Sequence, residues 1–272
     1  MISGNVAIRF GYQGPNIAIV TACTTGTHNI GYAARTIAYG DADVMLAGGS
    51  EMATTRSSIA AFSAARALST RNDEPEKASR PWDKERDGFV LSDGAGVLVL
   101  EDLDHAQRRG AEILGEVVGF GMSDDAFHIT SPPEGGAGAA RSMQNAIRDA
   151  GISPGDIDYI NAHGTSTPAG DPPEIAAIRR VFGDDVPKIS STKSLSGHSL
   201  GAAGVHESIY SLLMMEHDFL SASANIENLD PEFSDVPILT KRLDNAGVRT
   251  AMSNSFGFGG TNASLVFKTL QD

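Results

Sequence analysis

Residues 16–39 read NIAIVTACTTGTHNIGYAARTIAY, and this stretch predicts the fold class because it joins a strand pattern, a polar turn and a helix pattern. Asn16–Val20 is a short apolar run after Gly-Pro, which predicts a buried strand. In Thr27–Tyr39 the small and apolar residues recur at helical spacing, and Gly40 is expected to end that helix. Residues 43–47 (DVMLA) then predict a second strand. This alternation of strand and helix is typical of an α/β protein.

A second unit with the same layout occurs later in the chain. Like the opening stretch, residues 188–198 (KISSTKSLSGH) combine a strand and a polar turn, and an apolar helix pattern follows them. Residues 89–101 (FVLSDGAGVLVLE) predict a hairpin. This segment resembles residues 254–268 (NSFGFGGTNASLVFK). These parallels predict an internal duplication, with halves at residues 1–111 and 112–272, in which the first half is incomplete. Further elements are predicted as strands at 112–120, 158–162, 188–192, 248–253 and 263–267, helices at 139–150, 174–182 and 200–215, and a polar loop at 69–86.

Composition excludes several classes of function. The chain of 272 residues has 21 Lys and Arg against 34 Asp and Glu, a net charge of −13, which disfavours nucleic acid as a partner. An acidic protein partner would need a local basic patch. A single cysteine excludes an internal disulfide and any Cys-rich metal site. No apolar run is long enough to cross a membrane, and no signal peptide pattern is present, so we expect a cytosolic protein.

Cys23 is the candidate nucleophile because it lies between the predicted strand and helix of the opening stretch. The free N–H groups and the dipole at a helix N-terminus lower the pKa of a nearby thiol, and the same N–H groups can bind a developing oxyanion. We therefore expect iodoacetamide to label Cys23 faster than a free thiol. The alternative is an inert core cysteine, which is common in proteins.

Two histidines have settings that suggest chemistry. His163 follows a predicted strand in NAHGTST, and the ends of strands in α/β sheets face ligand crevices. His198 lies in KSLSGHS at the start of an apolar helix, where the duplication places it close to the position of Cys23. Lys193 and Glu207 flank this corner as a possible buried ion pair. The other histidines (28, 105, 128, 206 and 217) are interpreted as surface or packing residues.

Two other kinds of site are weakly supported. Cys23, His163 and His198 are residue types that bind metals, but the chain has no CxxC, HxxxH or HExxH spacing. The glycine-rich stretch 257–260 (GFGG) does not match the phosphate-binding patterns GxGxxG or GxxxxGKS. Its glycines instead predict a tight backbone turn close to a ligand.

Taken together, these motifs resemble the β-ketoacyl-[acyl carrier protein] synthases of the thiolase superfamily, in particular the elongating enzymes of type II fatty acid synthesis. The resemblance rests on TACTTG, YGDADVMLAGGSE, ARALSTRND, SRPWDKERDGFVLSDGAG, NAHGTSTPAGD, STKSLSGHSLGAAG and NSFGFGGTNASLVF, which occur in the order of the family. It implies a thiolase-like duplicated α/β fold with five layers, α-β-α-β-α, here with an incomplete first half. It also implies a homodimer and acyl carrier protein as the partner.

The resemblance implies roles for individual residues. Cys23 would take the acyl group from its carrier protein, and His163 and His198 would support decarboxylation of the malonyl-carrier protein. The backbone N–H groups of Cys23 and Phe258 would form an oxyanion hole. Other implied residues are Lys193 with Glu174 and Glu207 as acidic neighbours, Thr165 and Thr167 at the phosphopantetheine arm, Phe258 as a gate, Phe89 and Phe256 at the substrate, and Arg66 at the carrier protein. No metal or organic cofactor would be required, because phosphopantetheine arrives on the carrier protein.

Two rival interpretations stay open from the sequence. A polyketide ketosynthase of the same fold often reads DTACSSS at the nucleophile, so IVTACTTG favours fatty acid synthesis. A non-catalytic partner subunit would usually lack the cysteine, and Cys23 argues against it. The incomplete first half instead favours an inactive fragment, which we expect to be poorly stable because sheet edge and apolar surface would be exposed.

Overall fold

The computed structural model describes residues 1–270, in which helices and strands alternate along the chain. The α-helices are α1 (Ile2–Phe10), α2 (Thr25–Ala38), α3 (Arg56–Ala64), α4 (Leu103–Arg108), α5 (Ala137–Asp149), α6 (Asp171–Phe182), α7 (Lys193–Ser196) and α8 (Ala203–Glu216). The strands are β1 (Val44–Glu51), β2 (Gly94–Glu101), β3 (Glu116–Asp124), β4 (Tyr159–Asn161), β5 (Lys188–Ser190), β6 (Phe219–Leu220), β7 (Leu243–Asp244), β8 (Thr250–Phe256) and β9 (Thr261–Lys268). Every helix within residues 1–270 is too short or too polar to cross a bilayer.

The strands form one main sheet and two smaller ones. The main sheet has the order β3-β9-β8-β4-β5, in which β4 runs parallel to β5 and β8, while β9 runs antiparallel to β3 and β8. Strands β1 and β2 form a separate antiparallel pair in which Val44 lies opposite Glu101. A short antiparallel pair, β6 and β7, completes the strands of the described chain.

Helices cover both faces of the main sheet because its strands alternate apolar residues between two cores. In β9, Leu265 and Phe267 belong to the core shared with α2 and α8, whereas Val266 points to the core shared with α5 and α6. On their other side α2 and α8 pack against β1 and β2. The order of layers is therefore β1–β2, then α2 and α8, then the main sheet, then α5 and α6.

The predicted α/β class is confirmed, with four of the five expected layers present. The face of the β1–β2 pair that points away from α2 carries Val44, Leu46, Val97 and Val99, which are 40–61% exposed. No helical layer covers that face within residues 1–270. The chain therefore leaves an apolar sheet face open to solvent, as expected for an incomplete first half.

The duplication is visible in the geometry. A 3₁₀ turn at Ala22–Thr24 precedes α2, and a 3₁₀ turn at Leu200–Ala202 precedes α8. Ala22 and Leu200, the first residues of these turns, both have left-handed backbone angles, with φ of +49° and +47°. Each helix also packs near an antiparallel pair, β1–β2 or β8–β9. The position equivalent to Cys23 is therefore Gly201, three residues beyond His198.

Glycines let α2 and α8 approach each other closely where these helices begin. A Cβ atom on Gly26 would lie 2.7 Å from the backbone nitrogen of Val205, and one on Gly204 would collide with Oγ1 of Thr27. Larger residues at either position would force the helices apart. This close packing brings the Cys23 turn and the start of α8 to one place in the molecule.

Two predicted elements are wrong. Asn16–Val20 forms no strand: within residues 1–270 no other strand pairs with it, and Ile17 and Val20 are 59% and 84% exposed. Residues 89–101 form no hairpin, because β2 pairs with β1 along its whole length. Phe89 and Leu91 instead make single bridges to Leu68 and His198. An apolar run becomes a strand only where a neighbour accepts its backbone hydrogen bonds.

The other predicted elements are present with shifted ends. The strand predicted at 112–120 begins later, at Glu116, and the helix predicted at 174–182 begins earlier, at Asp171. The polar loop at 69–86 contains only a short 3₁₀ turn at Pro75–Lys77. These are the boundary errors expected when periodicity is strong but capping signals are weak.

Candidate active site

A cavity of about 340 Å³ lies where the two halves of the chain meet. It is bounded by the turn before α2, the segment between β4 and α6, the residues before α8, and the turn between β8 and β9. Ten of the residues singled out from the sequence line it: Cys23, Arg66, Phe89, His163, Thr165, Thr167, Glu174, His198, Phe256 and Phe258. Lys193 and Glu207 do not line the cavity and are fully buried.

Cys23 sits in the turn immediately before α2 and is 7% exposed. The preceding residue, Ala22, has a left-handed backbone conformation that is unfavourable for a residue with a side chain. The backbone N–H groups of Phe258 and Cys23 both lie close enough to the sulfur to lower the pKa of the thiol. The sulfur therefore lies beside two N–H donors, one from each half of the chain.

The expected lowering of the Cys23 pKa is wrong. Burial raises the pKa of the thiol to about 11, although the N–H of Phe258 and the charge of Lys193 oppose this rise. The helix N-terminus supplies donors, but the local sequence does not indicate how completely the thiol is removed from water. The resting group is a neutral thiol, which must lose its proton when it reacts.

Alkylation of Cys23 by iodoacetamide is expected to be slower than alkylation of a free thiol at neutral pH. Because the pKa of the Cys23 thiol is about 11, the rate of Cys23 alkylation should rise continuously between about pH 7 and pH 10. The alkylation rate of a free cysteine instead levels off above the free thiol pKa of about 8.5. Mass spectrometry of the modified chain over time measures both rates. A plateau for Cys23 below pH 8.5 would contradict the raised pKa.

The two histidines stand edge to face in the cavity. The ring centroids of His163 and His198 are 5.2 Å apart, with an interplanar angle of 87°. Phe256 lies 5.9 Å from the ring of His163, and Phe89 lies 5.3 Å from the ring of His198. These contacts fix the orientation of both imidazoles. The segment 89–91 positions the side chain of Phe89 in the cavity.

Both imidazoles are neutral at pH 7. Burial lowers the pKa of His163 and of His198 well below 6.5, and the nearby charge of Lys193 adds to this effect. Nζ of Lys193 lies 3.4 Å from Nδ1 of His163 and can donate to it. His163 therefore carries its own proton on Nε2. Nδ1 of His198 is buried without a hydrogen-bond partner among the described residues.

Lys193 forms a buried ion pair with Glu207, as the sequence suggested. Glu174 is also an acidic neighbour of Lys193, as expected: burial raises the pKa of Glu174 to about 7, and the charge of Lys193 opposes this rise. Its two carboxylate oxygens accept the backbone N–H groups of His163 and Gly164, at 2.8 and 2.7 Å, and it makes no hydrogen bond to Lys193. Glu174 thus holds the loop that carries His163, while Glu207 neutralises Lys193.

The mouth of the cavity is polar and carries one cation. Oγ1 of Thr165 and Oγ1 of Thr167 lie 3.0 Å apart beside the opening. Arg66 is exposed, has a left-handed φ of +55°, and lines the same opening. The two threonine hydroxyls and Arg66 thus place polar groups on the lining of the cavity.

Sequence reasoning missed several lining residues. Asp125 accepts a hydrogen bond from Nδ2 of Asn262 at 2.8 Å, and Asp171 is buried beside Arg86. Phe62 of α3 packs against Phe89, with ring centroids 5.4 Å apart. His128 is exposed, in agreement with its interpretation as a surface residue, but it also lines the cavity. No signal near these residues predicted this, since the long β3–α5 connection reaches the site only through the tertiary fold.

This arrangement suits acyl transfer through a covalent thioester. A thiol stands beside two backbone N–H donors, and two neutral imidazoles face the same cavity. Donors of this kind stabilise a carbonyl oxygen that becomes negatively charged. Among residues 1–270, no three His, Cys, Asp or Glu side chains are grouped so as to hold a metal ion.

Two family models match the chain. The model described as "Beta-ketoacyl synthase, N-terminal domain" matches residues 1–106, and "Beta-ketoacyl synthase, C-terminal domain" matches residues 114–227. The chain is 56% identical to "3-oxoacyl-[acyl-carrier-protein] synthase 2" of Vibrio cholerae over 275 residues, and 50% identical to the protein of that name in Staphylococcus aureus over 270 residues. These alignments cover 99% and 98% of this chain but 66% of each relative.

Solved structures share the fold. A type II polyketide synthase (PKS) acyl-carrier protein in complex with its ketosynthase gives a TM-score of 0.96 at 36% identity, covering 99% of this chain and 66% of that one. A β-ketoacyl synthase from Burkholderia phymatum gives 0.94 at 40% identity, covering 98% and 65%. The thiolase-like ketosynthase fold expected from the sequence is therefore confirmed, and the chain spans about 66% of the length of its curated relatives.

Proposed function

Because the chain belongs to the β-ketoacyl synthase family, we propose that it is a 3-oxoacyl-[acyl-carrier-protein] synthase that elongates fatty acids. The reaction is a decarboxylative Claisen condensation between an acyl group on Cys23 and malonyl-carrier protein. The observation that carries this proposal is the convergence of Cys23, His163 and His198 on one cavity.

The first step is transfer of the acyl group to Cys23. The sulfur attacks the thioester carbonyl, the bond to the phosphopantetheine sulfur breaks, and the proton of the Cys23 thiol ends on that leaving sulfur. The N–H groups of Cys23 and Phe258 bind the tetrahedral oxyanion. Because the thiol is neutral at rest, these donors and the charge of Lys193 must stabilise the thiolate as it forms. The kinetics should be ping-pong, since the first carrier protein leaves before malonyl-carrier protein reacts.

The second step forms the new carbon–carbon bond. Malonyl-carrier protein loses CO₂, and the electron pair of the broken bond becomes an enolate on its thioester. The neutral imidazoles of His163 and His198 stabilise the negative charge of the enolate as hydrogen-bond donors. The carbanion attacks the Cys23 thioester, the Cys23 thiolate leaves, and it takes up one proton. The products are a 3-oxoacyl-carrier protein, CO₂ and the free thiol.

The proposed partner is acyl carrier protein, which brings the phosphopantetheine arm. Support comes from the solved complex of a related ketosynthase with its carrier protein. In this chain, Thr165 and Thr167 at the opening suit the arm, and Arg66 suits an acidic carrier. The proposal includes a cytosolic location, which the single cysteine favours. It also includes a homodimer, which the exposed apolar residues favour.

An Arg66→Glu variant is expected to bind carrier protein about tenfold more weakly, because a cation at the opening becomes an anion. Its acylation by a small pantetheine thioester, which lacks the carrier protein, should not change. Rates with both acyl donors at two salt concentrations measure this difference. Arg108→Glu is the matched control, because Arg108 is exposed on α4 and does not line the cavity. Equal losses with both donors would contradict the assignment of Arg66.

A polyketide ketosynthase is the second candidate, and one observation speaks for it. The solved structures with high similarity include the ketosynthase of a type II PKS, at 36% identity. The relatives named 3-oxoacyl-[acyl-carrier-protein] synthase 2 reach 50–56% identity over 98–99% of the chain, which favours elongation of fatty acids.

The test is to incubate the chain with acyl-carrier protein and detect a thioester on Cys23 by mass spectrometry, then to add malonyl-carrier protein and measure CO₂ and the 3-oxoacyl product. We expect both the acyl-enzyme and the product. Cys23→Ala should form no acyl-enzyme. If the wild-type chain forms none, the proposed function is wrong for this chain and the inactive-fragment interpretation is correct.

A further inference from the structure

We propose that Thr24 and Thr261 are positioning residues that hold the two N–H donors beside Cys23 in register. The inference rests on the proposed function, because it concerns the oxyanion that acylation creates. One donor belongs to Cys23 in the turn before α2, and the other belongs to Phe258 in the turn between β8 and β9. These turns come from opposite halves of the chain, so only tertiary contacts can set the distance between the donors.

A chain of three threonines joins the two turns. Oγ1 of Thr24 donates to the carbonyl oxygen of Thr21 at 2.6 Å, which ties together the two residues on either side of Ala22 and Cys23. Oγ1 of Thr261 lies 2.7 Å from Oγ1 of Thr24 and 3.2 Å from the same carbonyl oxygen of Thr21. The Thr261 hydroxyl therefore links the Phe258 turn directly to the Cys23 turn.

The backbone around this link leaves little room for movement. The N–H of Gly257 donates to the carbonyl oxygen of Thr261 at 2.7 Å and closes the turn that carries Phe258. A Cβ atom on Gly257 would lie 2.9 Å from Oγ1 of Thr261 and 3.2 Å from the nitrogen of Cys23. The two turns are thus in contact, and Thr24, at the centre of the link, is fully buried.

The chemical reason for such a link is the precision that an oxyanion site requires. Donors must lie about 2.7–3.1 Å from the oxyanion, and losing one donor typically costs 10²–10³ in rate. The left-handed Ala22 shows that the Cys23 turn adopts an unfavourable backbone conformation, which surrounding contacts must maintain. The Thr24–Thr261 hydrogen bond supplies such a contact, and it comes from the element that carries the second donor.

The test compares two reactions of the same sulfur. Acylation by a small acyl-pantetheine thioester builds an oxyanion, whereas alkylation by iodoacetamide builds none. In Thr261→Val, which keeps the shape but loses the hydroxyl, we expect the ratio of acylation rate to alkylation rate to fall at least about tenfold. Thr261→Ser should restore the ratio. An unchanged ratio, or equal falls in both rates, would overturn the proposal.

A matched control removes a buried threonine hydroxyl elsewhere. Oγ1 of Thr27 lies 2.7 Å from Oγ of Ser255 and joins α2 to β8 through a hydrogen bond that involves no residue of either turn. Thr27→Val should therefore keep the wild-type ratio of acylation to alkylation. If Thr27→Val lowers this ratio as much as Thr261→Val does, a non-specific loss of core packing explains the lower ratio and the proposal is wrong.

A second measurement separates this proposal from the proposed function. If the wild-type chain accepts no acyl group, the proposed function fails, but the link can still be tested by amide hydrogen exchange. Thr24→Val, on the Cys23 turn, should speed exchange of the amides at 257–261 on the other turn at least several-fold, and Thr27→Val should not. Unchanged exchange at 257–261 in Thr24→Val would overturn the proposed link.

Discussion

A His163→Ala variant is expected to release CO₂ from malonyl-carrier protein at least about 10²-fold more slowly than the wild-type chain, while its acylation of Cys23 stays within a few-fold. In the proposed mechanism, the two half-reactions differ because only decarboxylation places negative charge in front of the imidazoles. Lys193 donates to Nδ1 of His163, so the proton on Nε2 is available to the enolate oxygen. In the proposed mechanism, acylation instead depends on the N–H groups of Cys23 and Phe258.

The measurement uses each half-reaction separately. Labelled CO₂ released from malonyl-carrier protein reports decarboxylation, and the mass of the acyl-enzyme reports transfer to Cys23. His217→Ala is the control, because His217 is exposed and does not line the cavity. If His163→Ala slows both half-reactions equally, His163 does not act on the enolate specifically. If CO₂ release is retained, His163 has no role in decarboxylation.

A Lys193→Met variant is expected to lose about 3 kcal/mol in free energy of unfolding at about pH 8.5, because it leaves the Glu207 carboxylate buried without its partner. The loss should shrink as the pH falls. Burial already raises the pKa of Glu207 to about 7 with Lys193 present, and removing the ammonium raises it further. The folded variant then binds a proton more tightly than the unfolded chain does, so its stability increases as the pH falls through and below 7.

Urea denaturation at about pH 8.5 and pH 6 measures this effect. The double variant Lys193→Met/Glu207→Gln is the control, because it removes both charges. It should recover to within about 1 kcal/mol of the wild-type chain at either pH. A single variant whose loss is below about 0.5 kcal/mol, or does not depend on pH, would show that Lys193 and Glu207 are not coupled as an ion pair.

The main helices and strands could be predicted from periodicity where an element buries one regular face. In α5, Met143, Ala146 and Ile147 recur at helical spacing and are buried against the main sheet. Strand prediction failed where pairing was decided by distant residues. Asn16–Val20 has the composition of a strand but no partner within residues 1–270, and β2 pairs with β1 rather than with the residues just before it. Composition specifies a side-chain pattern, whereas a strand also requires a neighbouring backbone.

The candidate site divides in the same way. Cys23, His163 and His198 could be selected from residue type and local patterns along the chain, and Phe258 from the family resemblance. The position of His128 on the cavity lining and the hydrogen bond from the backbone to Glu174 could not be predicted from the sequence, because both depend on packing between distant segments.

By itself, the amino-acid sequence determined the family, the α/β class, the duplication and the residues that carry the proposed chemistry. Only the tertiary structure decided the protonation state of Cys23, whose thiol pKa is raised by burial rather than lowered by the helix end. It also decided how two N–H donors from opposite halves meet at one sulfur. The physical reason is that desolvation and donor placement are sums over atoms that lie close in space but far apart along the chain.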